Sequence, residues 1–210
     1  MREILLIGGG GHCSSCIEAI ESTNDWIISG IVDTPERMGS TLLRYKFIGT
    51  DQDLSTLANR IPNMLVTVGQ LKAPTLRMKL YNMAIDAGAF MPPITASSAV
   101  VSRRAHLGAG TVALHGAIVN VGARIGDNCI LNTGCIVEHD CIIASHTHIS
   151  TGAIINGDCE IGSEVMVGSG AIVRNGLKIC NRVTLGAGTV VVRDILEPGV
   201  WIGIPARRIS

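Results

Sequence analysis

The chain is nearly without aromatic residues. Two Phe, two Trp and two Tyr make up 3% of its 210 residues, too few to fill the wide interior of a large sandwich. It also lacks net charge: 17 Lys and Arg balance 17 Asp and Glu, so no global field draws it to nucleic acid or to a membrane surface. No apolar run reaches the length of about 18 residues that suggests a membrane span. The apolar part of the N-terminus, Ile4–Ile7 after Met1-Arg2-Glu3, is too short for a signal peptide and reads as a first strand. The seven cysteines form no zinc-like array, Cys13 and Cys16 being an isolated CxxC; reduced thiols and a cytoplasmic location are expected. What the chain does have is aliphatic bulk, with 47% of residues hydrophobic.

That bulk is periodic. Leu107 to Val190 divides without insertion into consecutive hexapeptides, from Leu107–Val112 to Leu185–Val190. Each begins with Ile, Leu or Val except the one at Ala113, and the fifth place is Ala, Cys or Thr, with only Val165, Leu177 and Val183 larger. A period of six fits neither a strand nor a helix, but it fits a three-sided β-helix. One aliphatic per side points inward and stacks on its equivalent eighteen residues on. The fifth residue sits in a narrow corner; Cys129, Cys135, Cys141 and Cys159 fall there as buried space fillers. Gly or Asn recurs at the second place, and the sequence suggests a turn there with an unusual φ. At the usual strand spacing of about 4.8 Å the prism is about 22 Å long.

The first half follows another pattern. Strands are expected at Glu3–Ile7, Trp26–Val32 and Met64–Val68. Helices are expected from near His12, over Asp53–Ile61 and over Thr75–Ala87, the last with Leu76, Leu80, Met83 and Ala84 on its buried face. With a short extended piece at Ala89–Met91 the order is β-α-β-α-β-α-β, a small Rossmann-like parallel sheet flanked by helices. The expected fold is thus α/β plus all-β, with domains over 1–93 and 97–210.

Three features can carry chemistry. Gly8-Gly9-Gly10-Gly11 lies between a strand and a helix, where backbone N–H groups and the helix N-terminus favour an anion. Gly8, Gly10 and Cys13 occupy the places of G-x-G-x-x-G, so the last glycine of a dinucleotide fingerprint is missing. An anion cradle and a tight structural turn both fit. Asp33, at the end of the second strand, suits either a ribose or base contact or a solvated surface. His139 stands at an outward-facing third place, flanked by Glu138 and Asp140, with Gly157 in its column one coil later; the missing side chain there predicts a pocket beside the imidazole. A histidine steered by a carboxylate is a general base for neutral pH. His146 and His148 lie on the following turn, and three histidines on such a prism can also ligate zinc; no metal is expected here. His106 and His115 are read as surface residues.

These pieces together resemble a known family. A Gly-rich start ending in His12, hexapeptides carrying Ile136-Val137-Glu138-His139-Asp140-Cys141 and a Gly203-Ile204-Pro205-Ala206-Arg207 tail are similar to the bacterial hexapeptide-repeat sugar acyltransferases. That family is typified by sialic-acid O-acetyltransferases and the UDP-4-amino-sugar N-acetyltransferases of the bacillosamine pathway. The resemblance covers essentially the whole chain. It implies a left-handed parallel β-helix, a homotrimer with active sites between subunits, acetyl-CoA as co-substrate, and a nucleotide-sugar acceptor on the N-terminal domain. It implies His139 as base and Asp140 as the acid orienting it, a place often held by Glu. Gly9, Gly10, Gly11, His12, Asp33 and Asn132 would meet the acceptor; His148, Gly157, Ser169, Ala187 and Arg207 would meet acetyl-CoA. The preferred acceptor is the 4-amino group of a nucleotide-linked 4-amino-4,6-dideoxy sugar, with O-acetylation of sialic acid or another sugar hydroxyl as the alternative. A nucleotide-binding scaffold without transferase activity and a zinc hydratase are the rivals from other classes.

Overall fold

The computed structural model describes residues 1–70 and 74–210. The N-terminal half runs β1 (Arg2–Ile7), α1 (Gly11–Glu21), β2 (Trp26–Val32), β3 (Thr41–Leu42), β4 (Tyr45–Gly49), α2 (Leu54–Ala58), β5 (Met64–Val66) and α3 (Thr75–Asp86). Its sheet has the order β3-β4-β2-β1-β5. β1, β2, β4 and β5 are parallel, while β3 and β4 form an antiparallel pair. The expected all-parallel sheet is therefore a mixed one. The hairpin escaped notice because β3 has only two residues and β4 five. The helix expected over Asp53–Ile61 is a 3-10 turn at Asp51–Asp53 followed by α2. Two apolar layers enclose the sheet: Cys13, Cys16, Ile17 and Ile20 of α1 on one face, and Leu54, Leu57, Leu80 and Ala84 of α2 and α3 on the other.

α3 is rotated from the expected face. Arg77, Leu80, Tyr81 and Ala84 are its buried residues, while Leu76 is 55% exposed. Counting apolar residues passed over an arginine that the fold buries completely.

The second half is a left-handed parallel β-helix with three flat sides. The first side stacks Ile94–Thr95, Val112–Ala113, Ile130–Leu131, His148–Ile149, Met166–Val167 and Val183–Leu185, and is closed by Gly199–Ile202 and Arg207–Arg208. The second stacks Val100–Val101, Ile118–Val119, Ile136–Val137, Ile154–Ile155, Ile172–Val173 and Val190–Val191. The third stacks His106–Leu107, Arg124–Ile125, Ile142–Ile143, Glu160–Ile161 and Lys178–Ile179. Partners are eighteen residues apart, as in Ile118↔Ile136 and Ile136↔Ile154. Coiling begins at Ile94, before the regular hexads. The tail is not loose: Gly199–Ile202 pairs along Val183–Leu185 and turns back through Arg207–Arg208.

Packing explains the period. First-place aliphatics such as Val119, Val137, Ile155 and Val173 fill the interior, and the fifth-place Cys129, Cys135, Cys141 and Cys159 are fully buried free thiols. The left-handed backbone belongs to the fourth place, not the second. Every hexad from Leu107 has a positive φ there, with Gly in eight and Asn128, Asp140, His146, Asp158, Glu164 and Arg182 in the others. Second-place glycine serves close approach between coils instead: a Cβ on Gly126 would come 2.6 Å from the Ser145 nitrogen.

The N-terminal sheet docks on the first side of the prism. Ile94, Ala96, Val112, Leu114 and Ile130 share one apolar cluster with α1. Among the described residues no strand of the N-terminal sheet pairs with the other two sides.

Candidate active site

His139 stands at the corner between the second and third sides. Its Nδ1 lies 3.0 Å from Asp140 Oδ2, and both side chains are more than half exposed. An Nδ1–H donated to this carboxylate leaves Nε2 as the basic nitrogen. The hydrogen bond to Asp140 raises the imidazole pKa above its usual value; Glu138 and Asp158 add to the effect through their charges. The space beside Gly157 is not an empty pocket, as the sequence suggested. The imidazole itself occupies it: a Cβ on Gly157 would come 2.5 Å from Nε2. A second glycine makes room for the carboxylate, since a Cβ on Gly122 would collide with Asp140 Oδ1. The pair is seated between two positions without side chains.

A cleft of about 460 Å³ opens at the C-terminal edge of the N-terminal sheet. It is lined by Gly8 to His12, Asp33, Thr34, Asp51, Val68, Gly69, Leu76 and Leu80. Gly10 caps α1 without a side-chain hydrogen bond. A Cβ on Gly10 or Gly11 would meet nothing within 4 Å, so the helix N-terminus faces open space. Asp33 is held by the main chain: Oδ2 accepts from Gly9 N–H at 2.5 Å and Oδ1 from Thr34 N–H at 2.7 Å. Gly9 lines the cleft as well, and a Cβ there would collide with the Phe47 ring. Sequence reasoning missed Asp51, Val68 and Leu76 as parts of this wall. Leu76 was assigned to the core because helical spacing does not distinguish a core face from a cleft face.

His12 and His148 lie close enough to act on one another. Burial, then the charges of Arg77 and His148, push His12 down to about 3. Burial pushes His148 down to about 4, with Arg77 adding to the shift. His148 Nδ1 donates to the Gln70 carbonyl at 2.8 Å, and Nε2 accepts from Asn132 Nδ2 at 3.1 Å. Asn132 and His148, expected to serve different substrates, are thus direct partners. Both nitrogens of His148 are taken, which leaves no lone pair for a metal. His146 receives Asn128 Nδ2 on Nδ1 at 3.0 Å and packs edge-on against Tyr81. Among the described residues no group of three or more His, Cys, Asp or Glu is gathered for a metal ion.

Ser169 Oγ is 3.0 Å from Ser150 Oγ at the corner between the first and second sides. Ala187 follows one coil later in the same column. Arg207 is exposed and donates to its neighbour Ala206 O. Within one chain these three lie away from the His139 corner, and Gly157 alone of the coenzyme residues adjoins it.

The family model for the PglD N-terminal domain matches residues 3–84. Among solved structures, the acetyltransferase domain of PglB from Neisseria gonorrhoeae FA1090 is 30% identical over all of both chains, with a TM-score of 0.89. The same domain in complex with acetyl coenzyme A is 31% identical over 99% of each chain, TM-score 0.91. A histidine-to-asparagine variant of perosamine N-acetyltransferase from Caulobacter crescentus, in complex with CoA and GDP-perosamine, is 31% identical over 100% of this chain and 98% of that one, TM-score 0.93. This chain belongs to the bacterial sugar N-acetyltransferase family. No curated protein sequence matches it. As a sugar N-acetyltransferase it has the family's two parts over its whole length, the PglD-type N-terminal fold and the β-helix. Among its described residues no helix is long and apolar enough to cross a membrane.

Proposed function

We propose that the protein transfers acetyl from acetyl-CoA to the 4-amino group of a nucleotide-linked 4-amino-4,6-dideoxy sugar, with His139 as general base, for surface glycan or glycoprotein biosynthesis in the cytoplasm. The observation that carries this reading is the His139–Asp140 pair: an exposed imidazole with its Nδ1 committed to a carboxylate and its Nε2 face beside a glycine. Residues 1–93 bind the acceptor, its diphosphate at the α1 N-terminus and its nucleoside near Asp33. Residues 97–210 carry the transferase chemistry.

The acceptor amine attacks the thioester carbonyl as Nε2 takes its proton; the C–N bond forms, the C–S bond breaks, and the imidazolium returns the proton to the leaving thiolate. Asp140 holds the tautomer and stabilises the imidazolium, in the way that supports general-base catalysis of about 10²–10⁴-fold. The Gly157 N–H donates to no backbone carbonyl among the described residues, and it stabilises the oxyanion. Ser169, Ala187 and Arg207 are assigned to the coenzyme; His148, expected there too, has both nitrogens engaged by Gln70 and Asn132 and serves the acceptor wall instead. Both substrates are bound before reaction, without an acyl-enzyme.

The working unit in this reading is a homotrimer. The acceptor cleft draws none of its lining from the prism, and the N-terminal sheet covers a different side from the one beside His139. The second side also carries an outward ladder, Val100, Ile118, Ile136, Ile154, Ile172 and Val190, in register. Val100 is 62% exposed and Ile172 36%. A second copy laid on this ladder brings a foreign cleft to His139.

The test is thiol release from acetyl-CoA against a panel of nucleotide amino sugars, free amino sugars and sialic acid. Turnover with a nucleotide 4-amino sugar is expected. Turnover confined to a sugar hydroxyl, or binding without turnover, overturns the reading.

A further inference from the structure

Among the described residues the buried Arg77 has no carboxylate partner. It is 1% exposed, and its guanidinium is spent on main-chain carbonyls from two halves of the molecule. Nη1 donates to Val66 O at 2.7 Å and to Val68 O at 2.8 Å; Nε donates to Asn128 O at 3.2 Å, and Nη2 makes a longer 3.5 Å contact with Gly110 O. Val66 and Val68 belong to β5 and its extension. Gly110 and Asn128 are fourth-place corner residues of the prism, stacked one coil apart.

The next carbonyl on the same side of that extended segment is taken as well. Gln70 O accepts from His148 Nδ1, which the Asn132 amide in turn fixes. Carbonyls 66, 68 and 70 face one way because alternate residues of an extended chain do. Each is held by a side chain rather than by another strand. This segment is also one wall of the cleft. Val68 and Gly69 line it; a Cβ on Gly8 would collide with the Val68 side chain, and a Cβ on Gly69 would come 3.3 Å from His12 Cβ. The glycine-rich turn and His12 therefore take their positions against a wall that has no sheet neighbour on its far side.

We propose that Arg77, with His148 beside it, is a positioning residue for acceptor binding: it pins the Val66–Gln70 wall of the cleft to the corners of the prism. The fork geometry is what the task requires. A planar guanidinium reaches four acceptors in two directions, whereas an ammonium is a single point with three donors. Burial lowers the Arg77 pKa to about 10, so the group stays charged at neutral pH. Its charge also helps to keep His12 and His148 neutral, and so helps to preserve the hydrogen-bond directions at the wall.

The inference rests on the acceptor reading of the cleft, and its test separates the two. Arg77→Met and Arg77→Lys are compared with the parent protein for nucleoside diphosphate binding by calorimetry, and for both KM values and kcat in the thiol-release assay. Arg77→Met is expected to weaken nucleoside diphosphate binding and raise the acceptor KM by about tenfold or more, the size of a lost charged hydrogen bond. The acetyl-CoA KM should stay within about twofold, since Gly157, Ser169, Ala187 and Arg207, the residues assigned to that substrate, make no hydrogen bond to Arg77 or to Val66, Val68 and Gln70 among the described residues. Arg77→Lys keeps the charge but cannot span both halves, and should fall between the two. If Arg77→Met does not fold, Arg77→Lys decides: a rise in acceptor KM alone supports the proposal, and unchanged or equally changed KM values overturn it. A parent protein that binds no nucleoside diphosphate overturns the acceptor reading itself. A parent that binds while both variants bind as well overturns only the role of Arg77.

Discussion

His139 and His148 are nine residues apart on the same prism, and their surroundings are opposites. His139 stands on an exposed corner, one nitrogen on Asp140, with a pKa raised by that carboxylate. His148 lies on the outer face of the first side beneath the N-terminal sheet, both nitrogens occupied, and is pushed down to about 4. One imidazole can exchange a proton near neutral pH; the other is a fixed, neutral connector. One sits at a corner of the coil and the other on a flat side, and what covers each place determines its chemistry.

That contrast can be broken in order of expected effect. Replacing His139 by Ala should lower kcat by about 10²–10⁴-fold with acetyl-CoA affinity nearly unchanged; near-normal turnover in the variant would remove His139 as base. Gly157→Ala puts a methyl where the ring sits, and a displaced base should reduce kcat by roughly 10²-fold. Circular dichroism should show the fold intact, and a crystal structure should show the imidazole turned outward. Asp140→Asn removes the group that raises the His139 pKa. Turnover should fall on the order of tenfold, and the acid limb of the kcat/KM profile should move to lower pH, because the base then loses its proton at lower pH. A limb that stays in place would detach Asp140 from the base.

The smallest effect concerns the buried side of the comparison. His12 and His148 have folded pKa values below the ordinary 6.5. The unfolded chain therefore binds more protons than the folded one below about pH 6.5, and stability declines as pH falls from there. For His148 the decline levels off below about pH 4, where the folded form is protonated too. Thermal melts should show His148→Asn losing part of this acid sensitivity. An unaltered pH dependence would mean that His148 is not buried in solution.

The prism was readable because its cause is periodic: the same corner recurs every six residues, so an aliphatic at the first place and a small residue at the fifth are demanded again and again. The position of the left-handed residue was misread, since Gly at the second and fourth places looks alike in sequence, yet one answers a close approach and the other a backbone angle. His139 and Asp140 were found through their neighbours in the repeat. Arg77 and the pairing of Asn132 with His148 were not, because both depend on how one half docks on the other. No local pattern reports that Arg77 joins the end of β5 to Gly110 and Asn128. The hairpin at Thr41–Gly49 was missed for a related reason: β4 takes its place from β2, and the two-residue β3 takes its place from β4.

Asp140 occupies a fourth-place corner with φ +59°, a conformation most side chains avoid and glycine adopts freely. Its carboxylate is therefore held in place at the expense of an uncomfortable backbone. Asp140→Gly should melt at a higher temperature than the parent while turning over more slowly, so that robustness and speed trade against each other at one residue.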